Sequence, residues 1–314
     1  MQSKIVILGT GGTIAGTAAS AVDGVGYSAA RIGVAQLVAA VPPLAQLPIE
    51  CEQVAQIDSK DMDFATWQRL AQRAAFHLGC PEVAAIVVTH GTDTLEETAY
   101  FLHRVLAPQK PLVLTAAMRP ATSLQADGPQ NLLDAVRLAQ DGRVVGVSVV
   151  VAGRAWAGAE VRKRHSYRLD AFDAGDAGPL ATIEEGQVRC LAMPRPCDAP
   201  IGMAAIASDS AAWPRVEIVL SHAGANGALV DALVAQQVDG LVVAGTGNGR
   251  LSAALEASLR RAAQAGVRVL RASRCASGPV IGGDAAELPG AGALSAVQAR
   301  VELLLRLLGA RQAA

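Results

Sequence analysis

Two threonines, a serine, an aspartate and a lysine stand in loops of the kind that carry chemistry. Thr13 closes the loop Gly9-Thr10-Gly11-Gly12-Thr13-Ile14-Ala15-Gly16, and Thr92 adjoins Asp93 in His90-Gly91-Thr92-Asp93-Thr94. Ser59 lies in Asp58-Ser59-Lys60-Asp61-Met62, and Lys163 lies in Val161-Arg162-Lys163-Arg164-His165. The nucleophile on offer is a hydroxyl, which needs a base at neutral pH. A desolvated lysine can serve as that base, whereas arginine keeps its proton. Lysine is scarce here, restricted to Lys4, Lys60, Lys110 and Lys163. A hydroxyl, a lysine and a glycine-rich loop whose N–H groups can face an oxyanion together suggest acyl transfer. Asp93 suits a substrate ammonium, and Ser59 with backbone N–H groups suits a carboxylate. These residues therefore point to a small amino acid or its amide.

Other chemistries lack their patterns. The dinucleotide fingerprint needs glycine where Ile14 stands, and no Gly-Lys-Ser/Thr follows to make a P-loop. There is no Gly-x-Ser-x-Gly elbow and no zinc-protease motif. Cysteines 51, 80, 190, 197 and 275 show no metal-ligand spacing, so neither a metal nor a cofactor is expected. Simpler readings of the same residues compete. Thr94 with Glu97, or Asp93 with Glu96, matches a helix capping box. Thr13 fits a plain turn, Tyr27 a local loop anchor, and the basic run around Lys163 a solvated face.

The elements that must position these residues follow from hydrophobic pattern. Apolar runs of strand length occupy residues 4–8, 52–57, 84–89, 111–115 and 144–151. Helical patterns occupy residues 31–41, 64–78, 95–106 and 128–140. Such alternation predicts a doubly wound, mostly parallel sheet. The loops around Thr13, Ser59, Thr92 and Met118 then fall on strand carboxyl ends at one sheet edge, where such sheets bind ligands. Residues 17–30 are small and polar without periodicity and read as a mobile lid carrying Tyr27. A proline-rich stretch interrupts the pattern, after which strands at 216–220, 241–244 and 268–272 alternate with helices at 227–236, 251–265 and 293–308. The predicted fold is α/β, with an N-terminal domain over 1–192, a linker over 193–213 and a smaller C-terminal α/β domain over 214–314.

Composition narrows the class. Of 314 residues, 51% are hydrophobic, which supports a large core and argues against disorder. The formal charge is -1 and aromatics make up 3%, which excludes the basic, stacking-rich surface of a nucleic-acid binder. Mean hydropathy is +0.31, yet no apolar run approaches the ~18 residues of a spanning helix. No signal-peptide pattern opens the chain, and the odd, sparse cysteines suit a reducing compartment, so a cytoplasmic location is expected.

The combination of Thr10-Gly11-Gly12-Thr13-Ile14-Ala15, His90-Gly91-Thr92-Asp93-Thr94 with Glu96-Glu97-Thr98-Ala99, and Ala117-Met118-Arg119-Pro120 with Ala126-Asp127-Gly128 resembles the bacterial-type L-asparaginases. The resemblance extends to Ser59-Lys60-Asp61-Met62, to Gly245-Thr246-Gly247-Asn248-Gly249 and to the terminal helix. It implies hydrolysis of L-asparagine to L-aspartate and ammonia through an acyl-enzyme on Thr13, with Tyr27 assisting. It assigns Thr92, Asp93 and Lys163 to the second catalytic group, Asp93 also to the substrate ammonium, and Ser59 to the substrate carboxylate. It further implies a homotetramer of intimate dimers in which Asn248 and Glu287 complete a neighbour's site.

Two positions depart from the family pattern. Lys60 stands where Gln or Glu is usual near the ammonium, and Pro108 stands where secreted relatives have the disulfide partner of Cys80. The alternatives are a dual glutaminase-asparaginase, a non-catalytic amino-acid sensor and an amidotransferase subunit, whose usual extra domain has no room here.

Overall fold

The first strand, β1 (Lys4–Gly11), is buried along almost its whole length, as a parallel strand covered on both faces must be. The computed structural model to which it belongs describes residues 3–197, 199–282 and 288–313, divided into two compact units, Met1–Met203 and Ala204–Ala314. In the first unit β1 leads to a short hairpin, β2 (Thr17–Ala18) and β3 (Tyr27–Ser28), and then to helix α1 (Val34–Ala39). There follow β4 (Ile49–Ile57), α2 (Phe64–Gly79), β5 (Val83–Thr89), α3 (Leu95–Leu106), β6 (Pro111–Thr115), α4 (Gly128–Asp141) and β7 (Gly146–Val151). Strands β8 (Arg154–Ala157), β9 (Arg162–Lys163), β10 (Phe172–Asp173), β11 (Ala181–Glu184) and β12 (Gln187–Cys190) complete the unit.

The main sheet runs β12-β11-β8-β7-β6-β5-β1-β4. Strands β4, β1, β5, β6 and β7 are mutually parallel, and β8, β11 and β12 extend the sheet antiparallel. The mostly parallel, doubly wound architecture is thus as expected. Helices α1 and α4 cover one face over Ile7, Val87, Val113 and Val150, while α2 and α3 pack on the other, where Trp67 and Phe101 stack at 4.9 Å. The chain steps from β1 to β4 on one side and then to β5 on the other. The strand order therefore reverses at β1, and a crevice opens between the carboxyl ends of β1 and β5.

The second unit holds β13 (Val216–Leu220), α5 (Ala228–Ala235), β14 (Gly240–Gly245), α6 (Ala253–Gln264), β15 (Arg268–Ser273) and α7 (Ala296–Ala313). Its strands form a parallel sheet in the order β13-β14-β15, packed against Val230 of α5 and Leu255 and Leu259 of α6.

Two differences from the sequence expectation have physical causes. The helix expected over 31–41 begins at Val34, after Gly33 in extended conformation. Residues 152–190 also contain two tight hairpins where the hydrophobic pattern predicts no strand pair. Their turns, Ala152-Gly153 and Glu185-Gly186, place both residues at positive φ, the geometry usually marked by Asn-Gly or Asp-Gly. Alanine and glutamate at the first position conceal that mark. The Ala152 N–H donates to the Asn131 side chain at 3.0 Å, which helps hold the first of these turns.

Candidate active site

The crevice between β1 and β5 brings the two threonine loops into backbone contact. Gly11 and Gly12 have φ of +105° and +82°, a region that other residues enter only under strain. A Cβ on Gly12 would lie 2.3 Å from the Gly91 Cα, so each loop needs glycine at the crossing. These glycines serve loop-to-loop contact. The Gly12 N–H is anchored by the Ile57 carbonyl at 2.8 Å.

Thr13 begins a single 3-10 turn, Thr13–Ala15, and is 7% exposed. Its Oγ1 lies 2.6 Å from the Tyr27 hydroxyl, across the β2–β3 hairpin. The segment that reads in sequence as an aperiodic loop is therefore folded back onto Thr13, and its strands, two residues each, are too short to leave a pattern. Tyr27 is more than a local anchor, because its hydroxyl meets the hydroxyl that the sequence singles out.

The second hydroxyl has a different partner. Lys163 Nζ donates to Thr92 Oγ1 at 2.9 Å and to Asp93 Oδ1 at 2.6 Å. Lys163 reaches the crevice from β9, which pairs with β10. Its side chain is 17% exposed, whereas that of Asp93 is 52% exposed. Thr92 is buried. The basic run is thus not simply a solvated face, since its lysine turns inward to a hydroxyl and a carboxylate.

Ser59 ties its own loop to the Thr92 loop. Its Oγ accepts from the Asp93 N–H at 3.1 Å, and its carbonyl accepts from the Thr94 hydroxyl at 2.8 Å. Thr94 is the N-cap of α3 but makes no side-chain cap bond, so the capping-box reading fails at Thr94. Its hydroxyl is used between loops instead. Below the turn, buried His90 places Nδ1 2.7 Å from the Gly91 carbonyl and Nε2 3.0 Å from the Thr98 hydroxyl, which lies 2.8 Å from Trp67 Nε1. A carbonyl can only accept and an indole can only donate. His90 therefore carries its proton on Nδ1, and Thr98 donates to Nε2. Burial pushes the imidazole down to about 4, so it stays neutral at neutral pH.

Four further carboxylates shape the surroundings. Glu96, in the first turn of α3, is pushed up to about 7, mainly by burial, and accepts weakly from the Lys163 N–H at 3.5 Å. Asp127 accepts from the Met118 and Arg119 N–H groups, each at 2.9 Å, and fixes the turn after β6. Burial raises Asp127 above the usual carboxylate range, against the pull of those bonds. Asp58, with Asp61, draws Lys60 away. The Lys60 Nζ lies 2.5 Å from Asp58 and 3.4 Å from Asp61, with 62% of its side chain exposed. The cation expected beside a substrate ammonium is thus turned toward two flanking carboxylates.

In the second unit Asn248 is held by the Ile281 backbone. Its Nδ2 donates to the Ile281 carbonyl at 2.7 Å and its Oδ1 accepts from the Ile281 N–H at 2.6 Å. Glu287 lies outside the described residues. All five cysteines, Cys80 included, are free thiols. Among the described residues no group of three or more His, Cys, Asp or Glu side chains is arranged to hold a metal, and no helix is long and apolar enough to cross a membrane.

The arrangement supplies two buried hydroxyls on touching loops, one paired with a phenol and the other with an amine. Tyr167, whose ring stacks on the Arg119 guanidinium, carries no sequence signal, and Arg119 is marked in the sequence only as a motif residue. Asp127 is marked in the sequence only as a motif residue.

Comparison with known proteins finds matches along most of the chain. The family model for the N-terminal domain of asparaginase matches residues 4–195, and that for the glutaminase/asparaginase C-terminal domain matches residues 215–312. L-asparaginase 2 of Escherichia coli is 39% identical over 281 residues, 88% of this chain and 79% of that protein. The glutaminase-asparaginase of Pseudomonas fluorescens is 37% identical over 282 residues, 88% of this chain and 76% of that protein. The crystal structure of a probable cytoplasmic L-asparaginase from Campylobacter jejuni superposes with a TM-score of 0.91 at 36% identity, covering 98% of this chain and 95% of that one.

Proposed function

This chain belongs to the asparaginase family, and we propose that Thr13 is the nucleophile through which it hydrolyses L-asparagine to L-aspartate and ammonia. The observation that carries this assignment is the 2.6 Å approach of the Thr13 and Tyr27 hydroxyls, on a loop that touches the Thr92 turn. Thr13 Oγ1 attacks the side-chain carbonyl carbon of asparagine. Its proton passes by way of Tyr27 to the departing nitrogen, the C–N bond breaks, and ammonia leaves an aspartyl ester on Thr13. Water then adds to the ester carbonyl, its proton returns to Thr13, and aspartate is released. Thr92, with Lys163 at 2.9 Å, forms the second catalytic group and manages the proton of the attacking water. Asp93 takes the substrate ammonium and Ser59 its carboxylate.

Residues 1–192 carry these loops, and residues 214–314 complete the site of a neighbouring subunit through Asn248 and Glu287 in a homotetramer. The likeness to the probable cytoplasmic enzyme of Campylobacter jejuni and the five free thiols favour a cytoplasmic location. A second reading, comparable activity on L-glutamine, draws on the likeness to the Pseudomonas fluorescens glutaminase-asparaginase. One methylene in a pocket is worth only ~1–3 kcal/mol, so a site of this kind readily accepts both amides.

Ammonia release from asparagine and glutamine, measured side by side, sets the ratio and separates an enzyme from a sensor that binds without turnover. Acid quench during turnover should leave an aspartyl adduct on the peptide containing Thr13. A Thr13→Ala variant that kept more than a few per cent of the rate, with native circular dichroism, would overturn the nucleophile assignment.

A further inference from the structure

Arg119 joins three parts of the first unit that are far apart in sequence. Its backbone N–H is fixed by Asp127 in the turn after β6. Its Nη1 donates to the Tyr167 carbonyl at 2.8 Å and to the Met118 carbonyl at 3.2 Å. Its guanidinium lies 3.9 Å from the centre of the Tyr167 ring. Arg119 is 7% exposed, so carbonyl oxygens and an aromatic face hold a nearly buried cation. Tyr167 in turn lies four residues beyond Lys163.

The third part is the segment between β2 and β3. A Cβ placed on Gly24 would be 3.2 Å from the Tyr167 hydroxyl and 3.4 Å from Arg119 Cδ, so the tip of the segment rests on the stacked pair. Its flanks are stitched to the same turn. The Ala18 N–H donates to the Thr122 hydroxyl at 2.8 Å, the Leu124 N–H to the Ala21 carbonyl at 3.0 Å, and the Ala121 N–H to the Gly16 carbonyl at 2.9 Å.

We propose that the Arg119–Tyr167 stack is the seat on which the 17–30 segment closes. These two positioning residues couple the approach of Tyr27 to Thr13 with the placement of Lys163 opposite Thr92. The inference rests on the assignment of Thr13 and Lys163 to the reaction. It adds that closure is latched by a cation–π pair outside the reacting groups, and that residue 24 must be small. Tyr27 stands three residues from Gly24, so a tip lifted off the seat carries the phenol away from Thr13. Arg119 holds the lysine hairpin through the Tyr167 backbone, which a side-chain change at position 167 leaves in place. Tyr167→Ala therefore separates the seat from the lysine.

The test measures kcat and KM for asparagine, together with amide hydrogen exchange across residues 17–30. Removing a cation–π pair from a partly buried site corresponds to a change of roughly tenfold. Tyr167→Ala should raise KM about that much, with a smaller change in kcat, and speed exchange in residues 17–30 but not in α4. Tyr167→Phe keeps the ring and should keep both properties. Should Tyr167→Ala fail to fold, Gly24→Val decides: both stacked residues are kept, the added side chain presses on the Tyr167 hydroxyl and Arg119 Cδ and lifts the tip, and the same rise in KM and in exchange is expected. Wild-type KM and exchange in either folded variant would overturn the seat while leaving the Thr13 assignment standing, whereas an active Thr13→Ala enzyme would overturn the chemistry itself.

Discussion

Lys163 spans from the β9 strand to Thr92, with 2.9 Å between its Nζ and the threonine Oγ1. Those residues are 71 apart in sequence, and only the return of β9 to the edge of the parallel sheet makes them neighbours. The amine is shared with Asp93, which is half-exposed. The proposed role of Lys163 in turnover is therefore separable from its contribution to stability.

An ion pair with one exposed partner contributes only about 0–1 kcal/mol to folding. Loss of a positioned proton-transfer group costs about 10²–10⁴ in rate. Lys163→Met should accordingly lower kcat by at least a hundredfold while thermal denaturation stays close to wild type. Thr92→Val, which removes the hydroxyl and keeps the shape, should show the same division. A Lys163→Met enzyme with near-wild-type kcat would remove the lysine from the mechanism.

Glu96 gives a pH dependence of stability whose sign is fixed by burial. Its carboxyl is pushed up from 4.5 to about 7 in the folded protein. The folded state therefore binds more protons than the unfolded chain between those values. The stability contributed by this group is complete below the unfolded value and is lost as pH rises through about 7. The loss is on the order of 3 kcal/mol at most. Glu96→Gln removes the titration and keeps an acceptor for the Lys163 N–H. It should match wild type near pH 5 and exceed it near pH 8 in chemical denaturation. Parallel pH profiles for the two proteins would refute a titrating Glu96.

Much of this site is legible from sequence because parallel strands buried on both faces are apolar runs with polar residues at their ends. The runs before Gly9, Asp58, His90 and Ala116 mark where the loops meet, and the motif resemblance names the side chains. Contacts between loops leave no such trace. Ser59 takes the Thr94 hydroxyl from 35 residues away, and Arg119 stacks on Tyr167 from 48 residues away. A stack of that kind has no period, and a tyrosine following a basic run looks solvent-facing. Thr94 misleads for a related reason, since the residues of a capping box also serve to join loops.

The glycine crossing admits a sharper steric test. At Gly12 an alanine Cβ would sit 2.3 Å from the Gly91 Cα and 2.4 Å from its nitrogen, both backbone atoms that cannot rotate away. Gly12, with φ of 82° and ψ of -171°, also occupies a region reserved almost wholly for glycine, where a side chain adds strain of roughly 1–3 kcal/mol. Gly12→Ala should therefore cost more stability than an ordinary Gly→Ala change at a left-handed position and abolish turnover, because separating the loops moves Thr13 from Thr92. Gly79 offers the control, because a Cβ there meets nothing within 4 Å. Gly79→Ala should leave kcat unchanged and stability equal or slightly raised. Equal effects at the two positions would show that the crossing is not under steric constraint.

Subunit exchange tests where Asn248 acts. Both polar ends of its side chain are engaged by the Ile281 backbone, so Asn248→Ala releases that segment. If the proposed oligomer places this region against a neighbour's Thr13, two inactive proteins should complement each other. On that proposal a Thr13→Ala homo-oligomer would lack nucleophiles, and an Asn248→Ala homo-oligomer would lack the neighbour's contribution. In a mixed assembly, some sites pair an intact Thr13 from one subunit with an intact Asn248 from another. Mixing after partial dissociation should restore activity toward roughly a quarter of wild type, the random-pairing limit for one donor of each kind. Restoration requires shared sites, because mixing leaves each polypeptide with its own defect. Native mass spectrometry of size-tagged subunits establishes whether exchange took place. Exchanged assemblies without any regain would place the effect of Asn248 within its own subunit, through the Ile281 segment alone.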